Sequence, residues 1–325
     1  MKSGTSQKSV GRTGKSSRRG RSAGKSAASV LGHVLVTILL IFIITGSLMV
    51  GAIGVYVIGF VKPYNIDLNN TRLKSTSFMY ATDSSTGQPT QIAELSGDYN
   101  SIWANLSDVP DNLKNAVIST EDQRFTEHEG VDVKRSVGAF ANLLFHFHQS
   151  AGGGSTITQQ LIKNLQGNFY NRTVPVKIRE MVTALAVEKK YSKNQILEAY
   201  LNTITMGNNC YGVQAAANLY FGKQVKDLDL AQCATLAGIT QNPVNYDPYK
   251  HADNLKKRQQ YVLGKMLSQK TITKEQYDAA VAEKMAYSPK PSTLHSWFVD
   301  MVIKDVANEL VAQKGYTYSY ALNQI

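Results

Sequence analysis

The sequence predicts a mainly α-helical protein with a small β-hairpin element, preceded by one transmembrane helix. Three observations predict this class: an apolar run at residues 31–61, an alternating pattern near residues 75–95, and helical spacing of apolar residues from about residue 108 onward. The patterns divide the chain into five expected segments. These are a basic tail (1–30), an anchor (31–61), a hairpin and entry segment (62–107), a helical domain (108–285) and a linker-like segment (286–325).

The basic tail carries eight Lys or Arg residues and no acid before residue 26, out of a net charge of +11 for the chain. It is rich in Ser and Gly and cannot bury enough apolar surface to fold, so we expect it to be disordered. Positive charge beside a membrane span stays in the cytoplasm, which places residues 62 onward outside the cell membrane. We expect the tail to contact anionic lipid rather than nucleic acid.

The anchor contains no Asp, Glu, Lys or Arg between residues 31 and 61. About 20 apolar residues span a bilayer core, so the run suffices with some tilt. A cleaved signal peptide has an apolar part of roughly 7–15 residues and ends in a small-residue cleavage site. The sequence at residues 59–63 does not resemble such a site, so we expect an uncleaved, single-pass anchor.

The entry segment shows the pattern of a β-hairpin. Phe78 and Tyr80 fall on the same side of a strand at residues 75–82, the residues after it read as a turn, and a second strand follows at 91–95.

The helical domain is predicted from apolar spacing and capping signals. Residues 192–195 resemble a capping box that opens a helix through Leu201. Further helices are predicted at 213–219, 228–239, 255–267 and 274–284. Two apolar stripes predict the remaining helices, one of Val133, Val137, Phe140 and Leu144 and one of Ile178, Met181, Val182, Leu185 and Ala186.

Two short segments carry the chemistry. The first segment, residues 119–130 (STEDQRFTEHEG), places Glu121 and Asp122 close in sequence to Arg124 and His128. The second, residues 152–164 (GGGSTITQQLIKN), has a glycine run, then hydroxyl and amide side chains, and Lys163 near its end. A carboxylate able to take a proton, beside groups able to hold an anion, is what glycosyl transfer from a phosphate-activated sugar requires. Each segment alone is a weak signal, because an acidic pair is usually solvated and a GGGS run is usually a loop.

A third segment adds a polar helix face. Lys177, Glu180, Ala184 and Glu188 lie together, opposite the second apolar stripe. One interpretation is a solvated face with pairing of Lys177 and Glu180. The other is that Glu180 faces the cleft that contains Glu121.

These segments together resemble the peptidoglycan glycosyltransferase (transglycosylase) domain of class A penicillin-binding proteins. The matching segments are ISTEDQRFTEHEGVD for the first motif, GGGSTITQQLIKN for the second, VKIREMVTALAVEKKYSKNQILEAYLN for the third and fourth, and NCYGVQAAANLYFGK for the fifth. The motifs stand in family order from about residue 76 to residue 284, and several together are highly specific. The resemblance implies a lysozyme-like helical fold. Val176 stands where the family usually has arginine, and Gln232 where Glu is common.

The resemblance implies a function: polymerisation of lipid II into β-1,4-linked glycan strands with inversion and release of polyprenyl pyrophosphate. Glu121 would be the general base, and Glu180 would support it. Two alternatives stay open: a catalytically silent membrane-anchored cell-wall scaffold, and a lysozyme-like glycan-cleaving enzyme. Cleavage needs neither a cationic cluster nor a polyprenyl donor. The implied partners are lipid II, the growing glycan strand, membrane lipid and other cell-wall synthesis proteins, with no nucleic acid.

The same resemblance assigns roles to the remaining site residues. The expected substrate contacts are Arg124, Ser155, Thr156, Gln159, Gln160, Lys163 and Lys177. The less favoured alternative is that 156–163 is simply a capped helix after a glycine loop. The expected structural supports are Asp122, Phe125, His128, Gly130 and Asn202.

No cofactor is required by this interpretation. Asp122 could hold a divalent cation such as Mg²⁺ or cap a helix. Cys210 and Cys233 are the two cysteines, and the sequence decides neither for nor against a disulfide between them. The chain has no K-T-G motif, and its one S-x-x-K lies at residues 22–25 in the tail. We therefore expect only the polymerising half of a bifunctional protein, with 286–325 as the start of a linker toward an absent transpeptidase domain.

Overall fold

The structure is a computed structural model that describes residues 20–70, 77–82, 85–95, 100–135, 154–167, 173–289, 297–322 and 324. The chain divides into two compact units, Met1–Val61 and Lys62–Ile325, and each is described by itself.

The first unit contains one long helix, α1 (Gly20–Phe60). Its stretch Val30–Val57 has a mean hydropathy of 2.6 and is long and apolar enough to cross a membrane. Hydroxyl groups within the stretch donate to carbonyls one turn earlier, as Thr45 does to Ile41 at 2.7 Å and Ser47 to Ile43 at 2.8 Å. Polar side chains on this apolar helix are therefore satisfied without water.

The start of α1 corrects one expectation. We predicted a disordered tail through residue 30, but the helix already begins at Gly20; residues 1–19 lie outside the described residues. Adding residues to an existing helix avoids the cost of a new nucleus, and Ala, Lys and Arg are good helix formers. The apolar run therefore extends its helix into the polar flank.

The second unit opens with the predicted hairpin. Strands β1 (Ser77–Thr82) and β2 (Pro89–Leu95) pair antiparallel, with a bulge between Met79 and Tyr80. A second sheet was not predicted. It joins β3 (Asn100–Ser101), β4 (Thr205–Gly207) and β5 (Cys210–Tyr211) in the order β3-β5-β4, with β3 parallel to β5.

The rest of the second unit is helical, which confirms the predicted class. The predicted stripe from Val133 is described only to residue 135, and the rest of it lies outside the described residues. Short 3₁₀ turns stand at Leu68–Asn70, Leu106–Asp108 and Val225–Asp227. The helices are α2 (Asp111–Glu121), α3 (Ile157–Gln166), α4 (Val174–Lys190), α5 (Lys193–Thr203), α6 (Val213–Phe221), α7 (Leu230–Ile239), α8 (Ala252–Ser268), α9 (Lys274–Ala282), α10 (Trp297–Lys314) and α11 (Tyr318–Leu322).

Local capping signals fix where several helices begin. The predicted capping box at Ser192 is confirmed, since its hydroxyl accepts from the backbone amide of Gln195 and the Gln195 side chain accepts from the Ser192 amide. Reciprocal boxes also open α3, α7 and α9, at Thr156, Asp229 and Thr273. Gln232 is the third helical residue of the α7 box, and its Oε1 accepts from the backbone amide of Asp229 at 3.3 Å.

Helix α7 forms the centre of the core. Every residue from Ala231 to Ile239 is buried, and the helix packs against α2 and α8. Cys233 on α7 and Cys210 on β5 are both buried free thiols, so no disulfide joins them. Burial raises the pKa of Cys233 to about 12, which makes it a poor nucleophile.

Helix α4 buries its polar side. Its buried residues are Glu180, Thr183, Ala184 and Val187, whereas Leu185 of the predicted apolar stripe is 42% exposed. The stripe predicted the helix correctly but does not mark the face that packs inward. The inward face instead contacts α3 and the loop before it through polar side chains, such as Lys177 to Ser155 and Glu188 to Thr158.

Candidate active site

Glu121 is the last residue of α2, where it is held from three parts of the chain. Gln160 Nε2 on α3 donates to Glu121 Oε2 at 2.8 Å, and Thr240 Oγ1, just after α7, lies 3.5 Å from Glu121 Oε1. The Arg135 guanidinium donates to the backbone carbonyl of Glu121. The side chain is half-buried, so the carboxylate is fixed in place but still reachable.

Asp122 is fully buried and joins two segments. Its carboxylate accepts from the backbone amide of Ile157, the first residue of α3, at 3.0 Å, and from His128 Nε2 at 2.9 and 3.0 Å. A carboxylate at a helix N-terminus is favoured by the helix dipole. Both oxygens are thus engaged, and Oδ2 contacts the helix start, a helix cap being one of the two roles expected for Asp122. In the described residues, no group of three or more His, Cys, Asp or Glu side chains could hold a metal.

His128 is fixed in one tautomer by its neighbours. The backbone amide of Gly130 donates to His128 Nδ1 at 3.1 Å, so that nitrogen must be the acceptor. Nε2 then carries the proton that it donates to Asp122. The ring packs edge-on to the buried Phe125 at 6.3 Å between centroids. Both residues hold the loop after Glu121, the supporting role expected for them.

Gly130 lets this loop approach the backbone of α4. Its φ is +89°, and a Cβ at this position would lie 2.6 Å from the carbonyl oxygen of Ala184. Its own carbonyl accepts from Thr156 Oγ1 at 2.7 Å. Only glycine fits this left-handed conformation at so close a contact without strain.

The start of α3 separates cap residues from site residues. Thr156 and Gln159 are 0% and 2% exposed, and their side chains make the reciprocal capping box. Both side chains are therefore engaged in the cap, and their expected contacts with substrate stay a prediction. Gln160 follows directly and points to Glu121 instead.

Two of the basic residues expected to hold an anion are Lys177 on α4 and Lys163 on α3. Lys177 Nζ on α4 donates to Ser155 Oγ and to Glu180 Oε2, each at 2.9 Å. Glu180 is 9% exposed, so it does not belong to a solvated face. Lys163, half-buried on α3, stands three residues after Gln160 and hence on the same side of the helix.

Arg124 contacts an acid that sequence reasoning did not single out. Its Nη2 donates to both carboxylate oxygens of Asp132, at 2.8 and 2.7 Å. Burial alone would raise the pKa of Asp132, but hydrogen bonds from Arg124 and the backbone amide of Arg135 outweigh it and lower that pKa. The Asp132 carboxylate in turn raises the pKa of Arg124.

The pair predicts how stability depends on pH. A carboxyl whose pKa is lowered by folding stabilises the fold above its unfolded pKa of about 3.9 and loses that effect as pH falls through the folded pKa. We therefore expect Asp132→Asn to lower the free energy of unfolding at pH 6 relative to the natural chain. Below about pH 4 the two should converge. Urea unfolding at several pH values measures this, with the exposed Asp305→Asn as control; a difference that grows on acidification would contradict it.

A second ion pair supports the same loop from α5. Lys193 Nζ donates to the carbonyl of His128 at 2.6 Å and to Glu188 at 2.8 Å, and it lies 4.5 Å from the centroid of the Phe125 ring. Glu188 also accepts from Thr158 Oγ1 of α3 at 2.6 Å. Sequence reasoning missed Lys193, whose hydrogen-bond partner His128 lies 65 positions away and leaves no local signal.

Asn202 connects α5 to the segment before α2. Its Oδ1 accepts from the backbone amide of Ala104 at 2.7 Å, and its Nδ2 donates to the carbonyl of Ala104 at 2.9 Å. The residue is 1% exposed. Asn202 is thus held by backbone groups of another segment, and the supporting role expected for it stays a prediction.

Comparison with known proteins identifies relatives of the chain. A family model described as Transglycosylase matches residues 88–267. "Penicillin-binding protein 1A" of Clostridium tetani is 40% identical over 236 residues, which cover 67% of this chain and 29% of the relative. The protein of the same name from Streptococcus pneumoniae is 37% identical over 230 residues, covering 69% of this chain and 32% of the relative.

A solved structure of penicillin-binding protein 1A from Haemophilus influenzae is also similar, with 25% identity and a TM-score of 0.43. That match covers 75% of this chain and 26% of the other. The chain thus spans about a third or less of the length of these curated relatives.

Proposed function

The chain belongs to the transglycosylase family, and from this premise we propose that it polymerises lipid II into β-1,4-linked glycan strands. The observation that carries the proposal is the Glu121 carboxylate, half-buried and held by the Gln160 amide, beside a segment that also carries Lys163 and contacts Lys177. This combines a proton acceptor with groups suited to a pyrophosphate.

Glu121 is the proposed general base. The 4-hydroxyl of the acceptor sugar gives its proton to Glu121 as its oxygen attacks C1 of the donor sugar. The bond between C1 and the pyrophosphate oxygen breaks on the opposite side, so the α-linked donor yields a β-linked product. The polyprenyl pyrophosphate leaves with the bonding electron pair. A base must stand within hydrogen-bond reach of the proton that it takes, and the half-exposed carboxylate at the end of α2 meets that need.

Lys163, Lys177 and Arg124 are the proposed contacts of the pyrophosphate. Charge grows on the leaving group as the bond breaks, and fixed cations lower that barrier. Ser155 and Glu180 hold the Lys177 ammonium in one position, which gives Glu180 its supporting role. Gln160 is the remaining expected polar contact.

Membrane attachment supports the same proposal, because the donor lipid is embedded in the membrane. The basic residues lie on the N-terminal side of the span in α1. By the positive-inside rule we place the N-terminus in the cytoplasm and the unit with Glu121 outside.

One experiment separates the proposal from its alternatives. The purified chain in detergent is mixed with labelled lipid II, and in parallel with preformed glycan, and the products are resolved by gel electrophoresis. Long glycan from lipid II supports the proposal, shortened glycan identifies a cleaving enzyme, and unchanged substrates identify a silent scaffold. Either of the last two results would refute the proposal.

Lys177→Ala tests the anion contact. We expect kcat/KM to fall on the order of 10²-fold, because one fixed cation is lost from the transition state and Glu180 loses its partner. The matched control is Lys274→Ala on α9, which removes a lysine from another pair, that with Asp278, where the side chains are 61% and 57% exposed. Equal activity of the two variants would remove Lys177 from the site.

A further inference from the structure

Tyr200 stands behind the catalytic carboxylate. It lies on α5 with no exposed surface, and its hydroxyl donates to Gln160 Oε1 at 3.2 Å. Gln160 Nε2 in turn donates to Glu121 Oε2 at 2.8 Å. Three helices thus contribute one chain of hydrogen bonds that runs from a buried phenol to the half-exposed carboxylate.

The direction of this chain depends on the orientation of the Gln160 amide. A hydroxyl bonded to Oε1 keeps the NH₂ group toward Glu121, where it stabilises the ionised carboxylate. In the opposite orientation, Oε1 would face the charged oxygen and favour the protonated acid. Burial, together with the charges of Glu121 and Asp122, raises the pKa of Tyr200 well above its usual value. Its hydroxyl therefore keeps its proton at neutral pH.

Thr240 makes a second, longer contact with the carboxylate. Its hydroxyl lies 3.5 Å from Glu121 Oε1 and also donates to the carbonyl of Ala237 at 2.8 Å. In the described part of the chain, the shortest side-chain hydrogen bond to the Glu121 carboxylate is the one that Gln160 Nε2 donates, at 2.8 Å. The orientation of this amide therefore decides whether Glu121 Oε2 faces a donor or an acceptor.

We propose that Tyr200 is a positioning residue: its hydroxyl fixes the orientation of the Gln160 amide and thereby keeps Glu121 ionised and ready to accept a proton. The inference rests on the proposed function, in which Glu121 is the base. It assigns Tyr200 no contact with substrate.

Other charged groups surround the carboxylate and remain in place when Tyr200 is changed. Asp122 follows Glu121 and is bonded to His128, and the Arg135 guanidinium contacts the Glu121 carbonyl. The other charged side chains described at the site are Lys163, Lys177, Glu180, Arg124, Asp132, Glu188 and Lys193. A change in the titration of Glu121 after substitution of Tyr200 therefore reports on the amide.

Tyr200→Phe removes one oxygen atom and tests the proposal by two measurements. In glycan synthesis, we expect the acid limb of the kcat profile to move up by about one pH unit, so that kcat at a given pH on that limb falls on the order of tenfold, with KM unchanged. In the full chain labelled with ¹³C at glutamate carboxyls, the Glu121 signal, assigned with Glu121→Gln, should titrate at a correspondingly higher pH.

Tyr220→Phe is the matched control. Tyr220 is also unexposed, and its hydroxyl donates to the carbonyl of Met206 at 2.7 Å and accepts from Asn208 at 3.2 Å. The variant loses a buried hydroxyl of the same kind, so its stability loss should be similar. Its acid limb and its Glu121 titration should stay where they are.

The outcomes separate the two proposals. A Tyr200→Phe chain whose Glu121 titrates as before, or two tyrosine variants with equal shifts, would overturn the positioning role. A natural chain that makes no glycan would refute the proposed function, while the carboxyl titration would still decide the role of Tyr200.

If Tyr200→Phe does not fold, 3-fluorotyrosine at position 200 keeps the shape and is a stronger donor. The Glu121 titration must then move to lower pH, and an unmoved titration overturns the proposal.

Discussion

Replacing Glu121 by Gln is expected to lower kcat for glycan synthesis on the order of 10³-fold, because an amide cannot take the proton of the acceptor hydroxyl. The substitution keeps the size of the side chain. It also keeps an oxygen that can accept from Gln160 Nε2, so the end of α2 should stay in place. The fold should therefore survive while turnover is lost.

The measurement compares glycan formed from labelled lipid II by the natural chain, Glu121→Gln and the control Glu275→Gln. Glu275 is an exposed residue of the first turn of α9, so its substitution changes the same chemical group away from the site. Circular dichroism and urea unfolding confirm that both variants are folded. A folded Glu121→Gln chain with natural activity would remove the base assignment.

Gly130→Ala, which adds one methyl group, should cause a large loss of stability. The new methyl group would stand 2.6 Å from the Ala184 carbonyl oxygen and 2.7 Å from its carbon, at a φ of +89° that favours glycine. Backbone strain and overpacking each cost about 1–3 kcal/mol, so we expect a total on the order of 2–5 kcal/mol. The loop after Glu121 would also move away from α4, and activity should fall with it.

Urea unfolding of the full chain in detergent measures the loss. Gly264→Ala on α8 is the control, because a Cβ there meets nothing within 4 Å. Alanine is favoured over glycine inside a helix, so this variant should gain about 0.5–1 kcal/mol. A Gly130→Ala chain at least as stable as the natural chain would contradict the close contact between Gly130 and Ala184.

Local signals predicted the helices well. Ser192 and Gln195 stand three positions apart and their side chains form the reciprocal cap, so the start of α5 could be predicted from four letters. Which face of α4 is buried could not be predicted. Its apolar stripe gives the helical period, but which side packs inward depends on Thr158 and Gly130 from other segments. The strands β3 to β5 have two or three residues each, too few to show alternation.

In the site too, the sequence predicts local features but not contacts between distant segments. The TITQQ letters place hydroxyls and amides together, but only the position of the helix start decides that Thr156 and Gln159 form the cap while Gln160 faces Glu121. The contact of Asp122 with the helix start could be predicted, since a helix cap was one of the two roles expected for it. The contact of Tyr200 could not be predicted, because its partner Gln160 stands 40 positions away.

The contacts of Glu121 have a consequence for how the protein matures. Gln160 lies 39 positions after Glu121 in the chain, and Thr240 lies 119 positions after it. A nascent chain emerging from the ribosome therefore carries the acid long before the groups that hold it. If Glu121 is the base, as proposed, we expect turnover to begin only after α7 has been translated and docked, so that activity would report completed assembly.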